Sequence, residues 1–146
     1  MEDVDAAICK LLAMDGRMSF TELGKRTGLS TSAVHQRVKR LEQRGAIKGY
    51  VANIEPGEFG LTLTAFVSIR PIDASQPDDA PERLVDIREI EACYSVAGDE
   101  SYILHVRVTE PKALEDLLAA IRKAANVSTR TTIVLSTPFE RRPLAF

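Results

Sequence analysis

Between Ser30 and Arg44 the chain reads Ser-Thr-Ser-Ala-Val-His-Gln-Arg-Val-Lys-Arg-Leu-Glu-Gln-Arg. Wound as a helix, about 100° per residue, this run puts Ser32, Gln36, Lys39 and Gln43 on one side, flanked by His35 and Arg40. That side carries amides, hydroxyls and cations and no carboxylate, the groups that hydrogen-bond base edges in the major groove of duplex DNA. Ser30 and Thr31 stand at its start, while Lys25, Arg26, Arg37 and Arg44 lie off it, where phosphates could take them and fix orientation. From Lys25 to Lys48 there are seven basic residues and a single acid, Glu42. Charge alone would equally suit a solvated helix face. The elements around it decide between the two.

Three helices are expected to position these groups. Val4, Ile8, Leu11 and Leu12 form an apolar stripe on the first, which Gly16 ends. Ser19 stands three residues before Glu22, a capping box that opens a short second helix carrying Phe20 and Leu23 inward and stopping at Gly28. Leu29 and Ser30 make a tight turn, Ser30 N-caps the third helix, Thr31–Arg44, and Val34, Val38 and Leu41 are its buried stripe. A short helix, a turn opening at a glycine and a capped longer helix match the helix-turn-helix. A helical hairpin of no special function is the competing reading. Ile47, Val51 and Ile54 suggest extended structure, with Lys48-Gly49 as a hairpin tip, so the motif reads as winged. The expected domains are 1–50 for DNA binding, 51–60 as a linker strand with Pro56-Gly57, and 61–146.

The second half alternates differently. Leu63, Ala65, Val67 and Ile69 share one face of a strand over Leu61–Arg70, and Thr64, Phe66, Ser68 and Arg70 the other. After a loop rich in Pro, Asp and Ser, Leu84, Ile87 and Ile90 or Glu91 have helical spacing. Cys93–Ala97 and Tyr102–Val108 read as strands; Pro111 opens a helix with Leu114, Leu117, Leu118, Ile121 and Ala125 inward. Thr131–Thr137 reads as a last, β-branched strand. The order β-α-β-β-α-β is the ferredoxin-like arrangement, an α+β class with helices on one face of an antiparallel sheet. Phe66, Ile103 and Val134 are left for the other face, which a second copy would cover in a two-fold dimer. That symmetry would present two third helices to half-sites about 34 Å apart.

Composition narrows the options. The net charge of −2 divides into +3 over residues 1–50, from nine basic and six acidic residues, and −5 over residues 51–146, from ten and fifteen. A basic segment on an acidic protein suits local binding to a polyanion. Aromatics are only 5% with no Trp, too few for a stacking platform on single strands. Cys9 and Cys93 form neither a disulfide framework nor a zinc pattern, which suits a reducing compartment. The acidic start leads into no apolar run, so neither a secretory signal nor a membrane span is expected, and a cytoplasmic location is.

These motifs together resemble the leucine-responsive and asparagine-responsive (Lrp/AsnC) regulator family, with actinobacterial members the best match. Asp5-Ala-Ala-Ile-Cys-Lys-Leu-Leu12 resembles the family's opening D-x-x-I-L-x-x-L. Leu29–Glu42 resembles its recognition helix, and Gly45-Ala-Ile-Lys-Gly-Tyr50 its G-v-I-x-G-Y segment. The resemblance covers essentially the whole chain. It implies that an amino acid or related metabolite binds in the C-terminal half, where dimers meet to form octamers or other assemblies. The matching residues are Val96, Gly98, Asp99, Glu100, Ser101 and Tyr102, with Thr132, Val134, Ser136 and Thr137 at the end of the last strand. Ser101 stands where the family commonly has an acid that could hold an ammonium group, with Asp99 and Glu100 as neighbouring substitutes. Gly98 is equally readable as a turn glycine.

No cofactor, metal site or catalytic residue is expected. The only histidines, His35 and His105, sit one in each half without a ligand pattern, and there is no GxSxG, P-loop or GxGxxG. Two alternatives stay open: an enzyme of the same architecture, such as a sirohaem decarboxylase, and an amino-acid sensor that binds no DNA. Neither needs the basic Ser32–Gln36–Lys39 surface.

Overall fold

Ser19 and Ser30 each start a helix in the computed structural model, which describes residues 2–146. The Ser19 hydroxyl accepts the Glu22 amide at 3.1 Å and the Ser30 hydroxyl accepts the Ala33 amide at 3.2 Å, satisfying donors that a helix's first turn leaves orphaned. The helices are α1 (Asp3–Met14), α2 (Phe20–Thr27) and α3 (Thr31–Gln43). Gly28 closes α2 in the left-handed region, φ 75°, where glycine avoids the Cβ clash. Leu29 then donates its amide to the Gly24 carbonyl, which keeps the turn into α3 tight. Ile8, Leu12, Leu23, Val34, Val38 and Leu41 interlock as the core of this unit.

The chain divides into two units, Met1–Asn53 with Pro138–Phe146, and Ile54–Thr137. The tail, Pro138–Phe146, groups by its contacts with the helices, whereas the sequence reading placed it in the domain 61–146. Phe139, Leu144 and Phe146 have no ladder to join beyond the last strand, and Lys10 Nζ instead lies 5.4 Å from the centre of the Phe146 ring. Arg141 donates to the Asn53 side chain in the same unit.

The wing is a correction. Among the described residues Ala46–Glu55 form no strand. Gly45 (φ 74°) ends α3, the Ala46 and Ile47 amides both return to the Leu41 carbonyl, and the Tyr50 hydroxyl donates to Glu42 at 2.9 Å. The segment is folded back on α3, and Val51, 96% exposed, has no strand to pair with. The expected linker strand over 51–60 is likewise irregular, ending in a 3₁₀ turn at Pro56–Phe59 that the Glu55 carboxylate caps.

The second unit holds β1 (Leu63–Pro71), α4 (Ala80–Leu84), β2 (Ile90–Ser95), β3 (Tyr102–Val108), α5 (Pro111–Ala125) and β4 (Val127–Ile133). The strand order is β2-β3-β1-β4 with all neighbours antiparallel, the ferredoxin-like topology. Ala65, Val67 and Ile69 point into a core with Leu104, Val106, Leu117 and Ile121, while Phe66 and Arg70 point away from it. Two elements differ from the sequence reading. The helix expected to carry Leu84, Ile87 and Ile90 stops at Leu84: Ile87 and Ile90 close successive short turns, and Ile90 already pairs with Val106. The last strand begins at Val127, four residues before the expected Thr131, because Asn126 takes a left-handed conformation and turns the chain straight out of α5. Ser136 and Thr137 consequently lie past its end. Among the described residues, no helix is long and apolar enough to cross a membrane.

Candidate nucleic-acid interface and effector site

The cap at Ser30 and the stripe Val34, Val38 and Leu41, all at most 2% exposed, fix the rotation of α3 about its axis. Thr31, Ser32, His35, Gln36, Lys39, Arg40 and Gln43 are left exposed, as their helical phase requires. No acid stands in the first turn of α3, so its N-terminal dipole is unopposed by its own side chains. Ser30 is partly committed, its hydroxyl capping the helix and lying 3.3 Å from that of Ser32. The His35 ring packs edge-on against Phe20 with centroids 5.5 Å apart, which restricts it to one side of the turn.

Among the cations the structure draws a distinction that charge counting does not. Lys25, Lys39, Arg40 and Lys48 are exposed and, among the described residues, make no ion pair within the chain. Arg26 is held by Glu22 at 2.8 Å, and the guanidinium keeps that carboxyl below its usual range. Arg37, expected among the phosphate contacts, is bonded within the chain. Its Nη1 donates to Glu2 at 2.7 Å and to Asp5 at 2.9 Å, and Arg44 reaches the other Asp5 oxygen at 3.4 Å. Asp5 is only 7% exposed, so its carboxylate needs these partners, and Arg37 ties α3 to α1. Sequence reasoning missed this role, although Asp5 lies on the stripe of Ile8 and Leu12, where an acid has to be neutralised. Tyr50 was missed too: burial and its bond to Glu42 push its hydroxyl up to about 12.

The residues expected to hold an effector fall into two groups. Val96, Gly98, Asp99, Glu100 and Ser101 lie in the β2–β3 loop and Tyr102 opens β3; the loop is closed by Val96 N–H to the Ser101 carbonyl at 3.1 Å and anchored to β1 by Ser101 N–H to the Ile69 carbonyl at 3.0 Å. Arg70 donates to the Asp99 carbonyl, Arg130 stands 3.8 Å from Glu100, and Tyr102 donates to Asp78 at 2.8 Å. That last bond, with burial, raises the Tyr102 hydroxyl to about 12. Gly98 is not in the left-handed region, and a Cβ on it would meet nothing within 4 Å. The hairpin therefore does not itself demand glycine there.

Thr132, Val134, Ser136 and Thr137 are elsewhere. Val134 N–H bonds the Thr64 carbonyl, five residues along β1 from Ile69, so the loop's anchor and Val134 are separated by roughly 17 Å of strand, and Thr132, opposite Phe66, by roughly 10 Å. Val134, Ser136 and Thr137 line a hollow of about 320 Å³ with Thr62, Thr64 and Arg107. One chain does not bring the two groups together. On the sheet face away from the helices, Phe66 stacks on His105 at 5.1 Å, and Glu91 lies 3.5 Å from His105 and 2.8 Å from Arg107. His105 is thus a packed residue of that face.

Known proteins carry the same two parts. Residues 1–42 match the AsnC-type helix-turn-helix domain and residues 64–144 the Lrp/AsnC ligand binding domain. The HTH-type transcriptional regulator LrpA of Mycobacterium tuberculosis is 56% identical over 142 residues, covering 97% of this chain and 95% of that protein. The crystal structure of the M. tuberculosis leucine response regulatory protein superposes with a TM-score of 0.90 at 54% identity, covering 99% of both chains. A feast or famine regulatory protein of M. tuberculosis, solved in complex with L-methionine, superposes at 0.96 with 55% identity, covering 98% of this chain and 97% of that one. The helix-turn-helix that exposes Ser32, Gln36 and Lys39 and the antiparallel sheet that follows it in the sequence belong to one kind of molecule: this chain is a member of the Lrp/AsnC family of DNA-binding transcription regulators.

Proposed function

We propose that the chain reads a DNA sequence with the Ser32, Gln36, Lys39 and Gln43 side of α3, working as a dimer or larger assembly whose grip responds to a small amino acid. The observation that carries this reading is the exposed α3 face itself, polar, free of acids and flanked by Lys25, Arg40 and Lys48, which make no ion pair among the described residues. Lys25, Arg40 and Lys48 are the phosphate contacts on this reading, and Arg37 is not. The apolar side of the sheet, with Phe66 40% and Tyr94 54% exposed, is covered by a second copy, and dimers assemble further towards octamers. The protein acts in the cytoplasm by binding and not by catalysis. The effector is an amino acid, L-methionine being the first to test given the related complex.

A two-copy assembly also answers the separation of the effector residues. In antiparallel face-to-face copies, the loop end of one sheet approaches the Ser136 end of another, and the ligand would lie where they meet. Band shifts with the protein's own promoter region, titrated against salt, test the DNA reading. If about six phosphates are neutralised, log K falls with log salt at a slope near −5. A slope near zero, or equal affinity for unrelated duplexes, refutes it.

A further inference from the structure

We propose that Arg70 is the residue that takes the carboxylate of the amino-acid effector; this rests on the sensing function proposed above. Residues 54–137 contain fourteen acids and eight Lys/Arg, yet among the described residues no carboxylate pairs with Arg70. Its Nε and Nη2 both donate to one backbone oxygen, the Asp99 carbonyl, at 3.1 and 2.7 Å. A neutral acceptor leaves the cationic charge uncompensated. The pairing also uses only the inner edge of the guanidinium, so the outer fork of Nη1 and Nη2 keeps two parallel N–H groups, the geometry that binds a carboxylate in bidentate fashion.

What surrounds that fork suits the rest of an amino acid. The β1–β4 register sets Ser68 opposite Arg130 and Arg70 opposite Ser128, so Arg70 and Arg130 share the face of the sheet that the helices leave open. Arg130 lies 3.8 Å from Glu100, whose side chain is only 17% exposed and is held on the loop next to Gly98. One end of the face thus presents an unpaired cation, an ordered carboxylate and, between them in the loop, a residue with no side chain. A zwitterion needs all three: a cation for its carboxylate, an acid for its ammonium and close access to the backbone. Glu100 is placed to meet the ammonium, while Arg70 meets the opposite charge. Because the Asp99 partner is a main-chain carbonyl, exchanging the Asp99 side chain would not release Arg70, which makes Arg70 itself the position to change.

The alternative is that Arg70 only staples the loop. Calorimetry with two probes separates the roles: L-methionine, and L-methioninamide, which keeps the side chain and ammonium but has no carboxylate. Arg70→Gln should weaken L-methionine by roughly 10- to 100-fold, the loss expected for one charge-assisted bidentate pair, and leave L-methioninamide within about twofold. Arg70→Lys should recover part of the L-methionine affinity, since it restores the charge without the planar fork. An equal loss for both probes, no loss for either, or no recovery by Lys overturns the assignment and leaves sensing intact. Wild-type protein that binds neither probe nor any other amino acid overturns sensing and this assignment together.

Discussion

The inward turn of Arg37 changes what its removal should do. Asp5 is 7% exposed, with Arg37 at 2.9 Å and Arg44 at 3.4 Å on its two oxygens. Removing one partner of a fully buried pair costs roughly 3–5 kcal/mol. Here the Arg37 side chain is 22% exposed and keeps Glu2 at 2.7 Å, so Asp5→Ala is expected to cost less, about 2 kcal/mol. For a unit this small that lowers Tm by roughly 8–16 °C, readable by far-ultraviolet circular dichroism. Arg37→Met supplies the other arm of a double-mutant cycle. The double mutant should cost at least about 1 kcal/mol less than the sum of the two single changes, because it leaves no buried charge unpaired. DNA binding supplies an independent reading at a temperature where every variant is folded. A tether leaves the salt slope unchanged in Arg37→Met, whereas a phosphate contact loses about one from it. Additive stability changes together with a reduced slope would show that Arg37 faces DNA after all.

On the outer side of the same helix, Gln36→Ala and Lys39→Ala should each flatten the ranking of operator variants by roughly 1–3 kcal/mol with Tm nearly unchanged, while Lys25→Ala weakens all duplexes alike. An unaltered ranking for Gln36→Ala would mean that this side does not meet bases. Gly98→Thr should abolish the calorimetric response to L-methionine with Tm unmoved, since the added Cβ meets no atom of the chain within 4 Å; undiminished binding would move the site elsewhere. Tyr50 should resist ionisation until about pH 12. Its neutral form is favoured in the folded chain, so the stability from its bond to Glu42 is complete below pH 10 and drains away as pH rises to about 12. Ultraviolet titration showing every tyrosine ionising near pH 10 would contradict this.

What could be read in advance was local. The caps at Ser19 and Ser30 and the glycine at 28 act within three or four residues and form as the sequence implies, although the Glu22 carboxylate goes to Arg26 and does not complete a capping box. The alternation at Ala65, Val67 and Ile69 needs only the two faces of a strand. What could not be read depended on partners far along the chain. Lys48-Gly49 is a sound turn signal, but a wing needs a second strand, and Val51 finds none. The β-branched run extends from Val127 to Val134, and composition within it does not reveal where the strand starts; the left-handed Asn126 does. Arg37 and Asp5 are 32 residues apart, so the bond that ties α3 to α1 was invisible in any window around the recognition helix.

The separation of the effector residues bears on how such a regulator can respond at all. An amino acid small enough to fit at the Gly98 loop has no reach to Ser136 in the same chain, because about 17 Å of β1 lies between their anchoring points. On the proposed reading the complete site exists only where copies meet, so the ligand discriminates between assemblies and not between shapes of one chain. A ligand at 100 times its Kd adds about 2.7 kcal/mol per site to the assembly that completes the site and nothing to one that does not. Couplings of about 1–3 kcal/mol are typical of allosteric proteins, so one occupied site is of the required size, and the two sites of a two-fold contact exceed it. No rearrangement inside the ferredoxin-like unit is then needed, which agrees with a core in which Val67, Ile69, Leu104, Val106 and Ile121 are all fully buried. The number of α3 helices presented to DNA at once is the quantity the amino acid changes, and affinity for a site with several half-sites follows that number steeply.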